Sequence, residues 1–217
     1  MKTLDFNALR HNPRAAVAAT VGIGILLAVF PFIVGSALGN SWLRILDFAM
    51  LYIMLALGLN IVVGFAGLLD MGYIAFYAVG AYLYALLASP HFGLHVPVWL
   101  IIPAGAVLAG VAGALLGAPT LRLRGDYLAI VTLGFGEIVR IFMNNLNAPI
   151  NVTNGPQGIS SIDPIHLGGV TLAKPLVVAG ITVPSLHAYY YLFLALTLLI
   201  IFVSIRLEDS RIGRAWV

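Results

Sequence analysis

The residues best equipped for chemistry are a carboxylate and a guanidinium three apart, Glu137 and Arg140, inside an apolar run that contains Gly134-Phe135-Gly136. At that spacing they share one helix face and can pair. An ionisable side chain in a bilayer is costly unless it is paired, and by default it marks a translocation path. A structural pair locking helix to helix is the other reading, and the residues leave both open. Asn60 also lies deep in an apolar run. Its amide suits hydrogen bonding between helices, with a pore-facing place as the alternative. Asp47 follows Arg44 by three residues and reads as half of a local ion pair at a membrane boundary.

No catalytic constellation accompanies these residues. His91 and His95 are four apart but lack a third ligand, so they read as interfacial polar residues rather than a metal site. Cysteine is absent, which removes disulfides and thiolate ligands. There is no HExxH and no P-loop. No catalytic residue, metal or bound cofactor is therefore expected of this chain. Asn151-Val152-Thr153 matches a glycosylation acceptor, a pattern common by chance.

The elements that must hold these residues are set by composition. Hydrophobic residues make up 61% of the chain and charged residues 9%, and the mean hydropathy is +1.04. A soluble domain cannot cover its surface with so little charge. The net charge of +3 comes from sparse basic residues beside apolar runs, the pattern of a topology signal and not of a nucleic-acid surface. The expected surroundings are a lipid bilayer, with no nucleic acid.

Six apolar stretches can each cross a hydrocarbon core, at 15–38, 45–66, 70–89, 97–118, 127–146 and 188–205. The expected fold is all-α, a polytopic transmembrane bundle. Its parts are a cytoplasmic segment at 1–14, a membrane domain at 15–205 and a cytoplasmic segment at 206–217. With the N-terminus inside, Lys2, Arg10, Arg14, Arg122, Arg124, Arg206, Arg211 and Arg214 all fall on the cytoplasmic side, against Arg44 and Lys174 outside. That asymmetry fixes the orientation. Trp42, Trp99 and Tyr189 to Tyr191 then mark the outer boundary. The first stretch is too long for the apolar core of a cleaved signal peptide.

Three finer features bear on positioning. Gly105, Ala109, Gly113 and Gly117 recur every four residues and give the fourth span a smooth face for close helix packing. The join at Gly64 to Asp70 is barely polar. It reads either as a tight turn or as a broken segment covered by protein. The stretch 147–187 is rich in Pro, Gly and Asn and is expected outside, with a turn at Asn154-Gly155. Val170 to Leu172 and Val177 to Val183 suit short strands or a shallow amphipathic piece. The chain then stops just after Gly213-Arg214-Ala215-Trp216 without a terminating signal, as if cut before its next element.

Three stretches carry a family resemblance. They are Leu57 to Gly67 with Gly72 to Tyr82, then Leu121-Arg122-Leu123-Arg124-Gly125-Asp126-Tyr127-Leu128 running on to Glu137, and Thr153-Asn154-Gly155-Pro156-Gln157-Gly158-Ile159. In order and spacing they resemble the permease subunits of bacterial ABC importers for branched-chain amino acids, closest to the M-type subunit. With Ser210 to Trp216 the resemblance covers about residues 45–217. The departures are Leu69-Asp70-Met71, where the family is more polar, and Asn154, where glycine is common. Urea-type permeases share similar motifs.

The resemblance implies a permease in the bacterial inner membrane, working with a second permease subunit, two cytoplasmic ATPases that bind the ATP, and a periplasmic substrate-binding protein. It places Thr153, Asn154, Gly155, Pro156 and Gly158 toward the binding protein, and Glu208, Asp209, Arg211, Gly213 and Arg214 toward an ATPase. Asn60, Glu137 and Arg140 are the polar groups set beside the translocation path. A channel or structural membrane subunit without ATP coupling is the rival reading.

Overall fold

The structure, a computed structural model, describes residues 13–65, 67–120, 123, 125–167, 170–178, 181–211 and 213. Lys2, Arg10, Arg122, Arg124, Arg214 and Trp216 lie outside the described residues, and the backbone alone is described at Arg14.

Among the described residues six helices form, one at each of the six expected apolar stretches, the third shorter than expected. They are α1 (Pro13–Ala37), α2 (Asn40–Asn60), α3 (Ile74–Leu87), α4 (Val98–Thr120), α5 (Asp126–Asn145) and α6 (Ser185–Glu208). Long apolar runs must form helices in lipid, because only a helix satisfies each backbone group within its own segment. Asn40–Phe65, Val98–Ala118 and Ser185–Glu208 are each long and apolar enough to cross a membrane unaided. Large side chains such as Ile33, Phe48, Leu115 and Ile138 stand exposed around the helices. That is the inverse of a soluble core, and it suits a lipid or protein surround.

The helices pack as two trios. α1, α2 and α6 contact one another, and α3, α4 and α5 contact one another. In the first trio, α2 against α6 is the broadest contact, and Leu43 of α2 is fully buried.

The joint between α1 and α6 answers a problem that proline creates. Pro31 lies inside α1 and has no N–H, so the carbonyl of Leu27 loses its helical partner. The Tyr190 hydroxyl donates to that carbonyl at 3.1 Å, and Tyr191 donates to the carbonyl of Ala28 next to it. We expect Tyr190→Phe to destabilise the bundle by about 1 kcal/mol, the scale of an interhelical hydrogen bond in lipid. In a Pro31→Ala background the cost should vanish, because an alanine at that position restores the helix's own donor. Unfolding titrations in bilayer mimetics would read both, and equal losses in the two backgrounds would refute the account.

The third expected span, 70–89, needs correction. Helix α3 begins only at Ile74 and holds 14 residues. That is about 21 Å of helix, short of a hydrocarbon core near 30 Å. Before it, α2 runs on through one π-helical turn, Ile61–Phe65, and residues 67–73 are irregular. Of the two readings of this join, the broken segment is the one observed.

The long loop between α5 and α6 carries structure of its own. Residues His166–Leu167 (β1) pair antiparallel with Val170–Thr171 (β2), and Leu176–Val178 (β3) with Ile181–Val183 (β4). The bundle is all-helical, and these two small hairpins sit outside it.

Candidate functional site

The irregular segment 67–73 lies against the middle of α5, and this close approach organises the site. Thr132 stands two turns into α5 and is buried. Its hydroxyl lies 3.0 Å and 3.1 Å from the carbonyls of Leu128 and Ala129 and accepts from the N–H of Met71 at 3.0 Å. Asp70 turns back so that its Oδ1 accepts from the N–H of Gly72 at 2.7 Å. The N–H of Leu68 reaches the carbonyl of Val62, and that of Asp70 the carbonyl of Leu68. Each non-helical donor from 68 to 72, apart from Leu69, thus has a stated partner, as irregular backbone at membrane depth requires. Gly72 is there for space: a Cβ would sit 2.5 Å from the Thr132 carbonyl oxygen.

The smooth face of α4 covers the other side. A Cβ at Gly105 would meet Leu83 at 3.5 Å, and one at Gly113 would meet Phe76 at 3.7 Å, so both glycines lie under α3. Ala109, between them, is half-buried on the same face. Gly113 and Gly117 also line a small cavity of about 80 Å³ with Asp70, Gly72 and Thr132.

Glu137 and Arg140 form the expected pair within α5. Arg140 Nε donates to Glu137 Oε2 at 2.9 Å and Nη2 to Oε1 at 2.5 Å, a two-pronged contact that neutralises both charges locally. Their side chains are 51% and 65% exposed. They line an open cleft of about 340 Å³ with Met71, Ile74, Tyr82 and Met143. Asn60 is not brought there. It is exposed at the end of α2, against Gly64 of the following turn, and makes no hydrogen bond to another helix among the described residues.

Arg44 and Asp47 correct the sequence reading. No ion pair joins them among the described residues, and Asp47 Oδ1 is sealed from solvent without a hydrogen-bond partner. Both line a cleft between α2 and α6.

The turn after α5 is held from within. Thr153 is 1% exposed. Its hydroxyl donates toward the carbonyl of Met143 at 2.6 Å, with that of Leu146 at 3.2 Å, closing the end of α5. Asn154 takes a left-handed backbone with φ 61°, braced by Asn151 Oδ1 at 2.8 Å from its N–H. Gly155 is buried with φ 58°, its amide 3.4 Å from Thr153 Oγ1. Thr153 and Gly155 therefore shape the loop from beneath, while Pro156 and Gln157 are exposed and Gly158 half-buried. Removing the hydroxyl in Thr153→Val should cost about 1–2 kcal/mol by leaving carbonyls unpaired. Faster amide hydrogen exchange across 146–158 would show it, and unchanged protection would count against it.

His91 and His95 tie this loop to the α3–α4 turn. His91 Nε2 is 2.9 Å from the Asn151 carbonyl, and His95 Nδ1 is 2.5 Å from Asp163 Oδ2. The Asp163 amide donates to the carbonyl of Ala88 at 2.6 Å. At the other end, the chain turns after α6. Glu208, Asp209 and Arg211 are exposed there, while Gly213 folds back onto the last carbonyls of the helix and is buried.

The family described as branched-chain amino acid transport system / permease component matches residues 41–217. The chain belongs to that family. It is 42% identical over 208 residues to the high-affinity branched-chain amino acid transport system permease protein LivM of Escherichia coli strain K12, covering 90% of this chain and 47% of that relative. The protein of the same name from Salmonella typhimurium is 41% identical over 204 residues, covering 88% of this chain and 46% of its own length. The chain thus spans about half the length of the curated relatives it matches. No solved structure matches it. The permease family is a transport component, and apolar helices fit a membrane protein. Sequence reasoning assigned no role to Thr132 or Gly72. The one available signal was a glycine in a join too apolar to be an ordinary loop.

Proposed function

We propose that this chain is the membrane-spanning permease subunit of an ATP-driven importer that carries branched-chain, hydrophobic amino acids across the bacterial inner membrane. The observation that carries the reading is 42% identity across 90% of the chain to a permease of that description. An apolar cleft holding one carboxylate and one guanidinium suits an aliphatic zwitterion. Glu137 and Arg140 are proposed to line the path, with Asn60 at a separate level. Substrate would arrive on a periplasmic binding protein docked at the loop around Thr153 to Gly158, through outward residues such as Pro156 and Gln157. ATP would bind two cytoplasmic ATPases, one of them meeting Glu208, Asp209, Arg211, Gly213 and Arg214. A second permease subunit would complete the pathway.

The test is uptake by the complete importer in a strain lacking its own, comparing leucine, isoleucine, valine and urea. Saturable, ATP-dependent uptake of the three amino acids supports the reading. Uptake of urea alone, or uptake that persists without ATPase partners, defeats it.

A further inference from the structure

We propose that Ala78 of α3 and Gly136 of α5 set the length of side chain that the α5 cleft accepts, which makes them specificity-determining residues of the importer. The inference rests on the importer reading above and assigns its selectivity to two positions. The cleft measures about 340 Å³. Small-molecule sites begin near roughly 300 Å³, so there is room for one small solute and little more. At that size each carbon on the wall counts.

Two helix faces build the cleft. On α3, Ile74, Ala78 and Tyr82 recur every four residues and share one face. On α5, Leu133, Gly136, Arg140 and Met143 recur at threes and fours and do the same. Most of these walls are large. The small ones are Ala75, Ala78 and Gly136. Ala75 is buried by the fold, whereas Ala78 and Gly136 are only half-buried and line the cleft. Both stand beside the charges. Gly136 directly precedes Glu137. Gly72 packs on α5 between Thr132 and Gly136, and α3 and α5 run on from there to joined turns, where His91 meets the Asn151 carbonyl. The two helices therefore climb in step, and Ala78 stands level with the Glu137–Arg140 pair. That pair keeps capacity for a ligand. Its mutual contact uses the Nε and one Nη2 hydrogen of Arg140, which leaves guanidinium donors for a carboxylate and Glu137 lone pairs for an ammonium. A zwitterion held there lays its side chain along the apolar walls, and Ala78 and Gly136 decide how much of it fits.

The experiment measures leucine and valine uptake by the complete importer with its binding protein unaltered. The two substrates differ by one methylene, and an apolar pocket discriminates one methylene by roughly 10–200-fold. The cleft is open on one side, so Ala78→Val should lower leucine uptake relative to valine by about tenfold, the lower end of that range. Gly136→Ala should move the ratio the same way. Its new Cβ meets Gly72 Cα at 3.6 Å, an ordinary contact, so this variant decides the matter should Ala78→Val not accumulate in the membrane. Ala81→Val adds the same carbons at an exposed position of α3 outside the cleft and should leave the ratio unchanged. Damage to stability or assembly scales both uptakes together, and with the binding protein unaltered a changed ratio arises in the membrane. An unmoved ratio in either cleft variant that accumulates, or an equal shift in Ala81→Val, overturns the assignment and leaves the importer reading standing. If the unmodified importer takes up neither amino acid, the importer reading itself fails.

Discussion

Adding one methyl group at Gly72 should cripple the protein. The new Cβ in Gly72→Ala would lie 2.5 Å from the Thr132 carbonyl oxygen, where ordinary contact begins near 3.4 Å. Both sides of that contact are backbone, so no side chain can rotate away. The segment must lift from α5, and Met71 N–H then loses the Thr132 hydroxyl. Overpacking of this kind costs about 1–3 kcal/mol, and a donor stranded away from water adds about as much again. Uptake and the amount of folded protein in the membrane should both fall at least about tenfold. Gly80→Ala is the matched control, because a Cβ there meets nothing within 4 Å. Indistinguishable expression and uptake in the two variants would contradict the packing described. Thr132→Val, which removes only the hydroxyl, should give a milder loss of about 1–2 kcal/mol.

The second large effect is expected at Arg140. Arg140→Leu removes both donors of the two-pronged contact and leaves Glu137 as an uncompensated charge midway along α5. Lone charges at that depth are poorly tolerated, so membrane insertion and uptake should drop at least about tenfold. The double variant Glu137→Gln with Arg140→Leu carries no charge and should recover insertion. Its uptake then separates the two roles left open by the sequence. Recovered insertion without uptake places the pair on the path, and recovery of both makes it a structural clasp. If the single Arg140→Leu variant inserts normally, the claim that the pair is mutually required is wrong.

The helices were legible because a 20-residue apolar run has one outcome in lipid, and no tertiary partner is needed to choose it. The Glu137–Arg140 pair was legible for a related reason: three residues on a helix fix two side chains on one face. Arg44 and Asp47 have the same spacing and do not pair, because burial in a helix–helix groove holds one Asp47 oxygen away from solvent and partner alike. That outcome depends on α6, which lies some 140 residues later. Thr153 shows the same limit. Its motif was recognisable, but its inward direction follows from where the end of α5 leaves carbonyls unpaired. Gly72 was hidden because its meaning lies in an oxygen sixty residues away.

Two covalent links join the helix trios, the stretch that runs from the π-helical turn Ile61–Phe65 through the irregular residues 67–73, and the loop between α5 and α6. The loop is moored to one trio by His91, His95 and Tyr84 through Asn151 and Asp163. The part of the loop up to Asp163 therefore rides with α3, α4 and α5. Any tilt between the halves concentrates its bending in the irregular residues 67–73 and in the short hairpins before α6, which makes those two places the axle of the molecule.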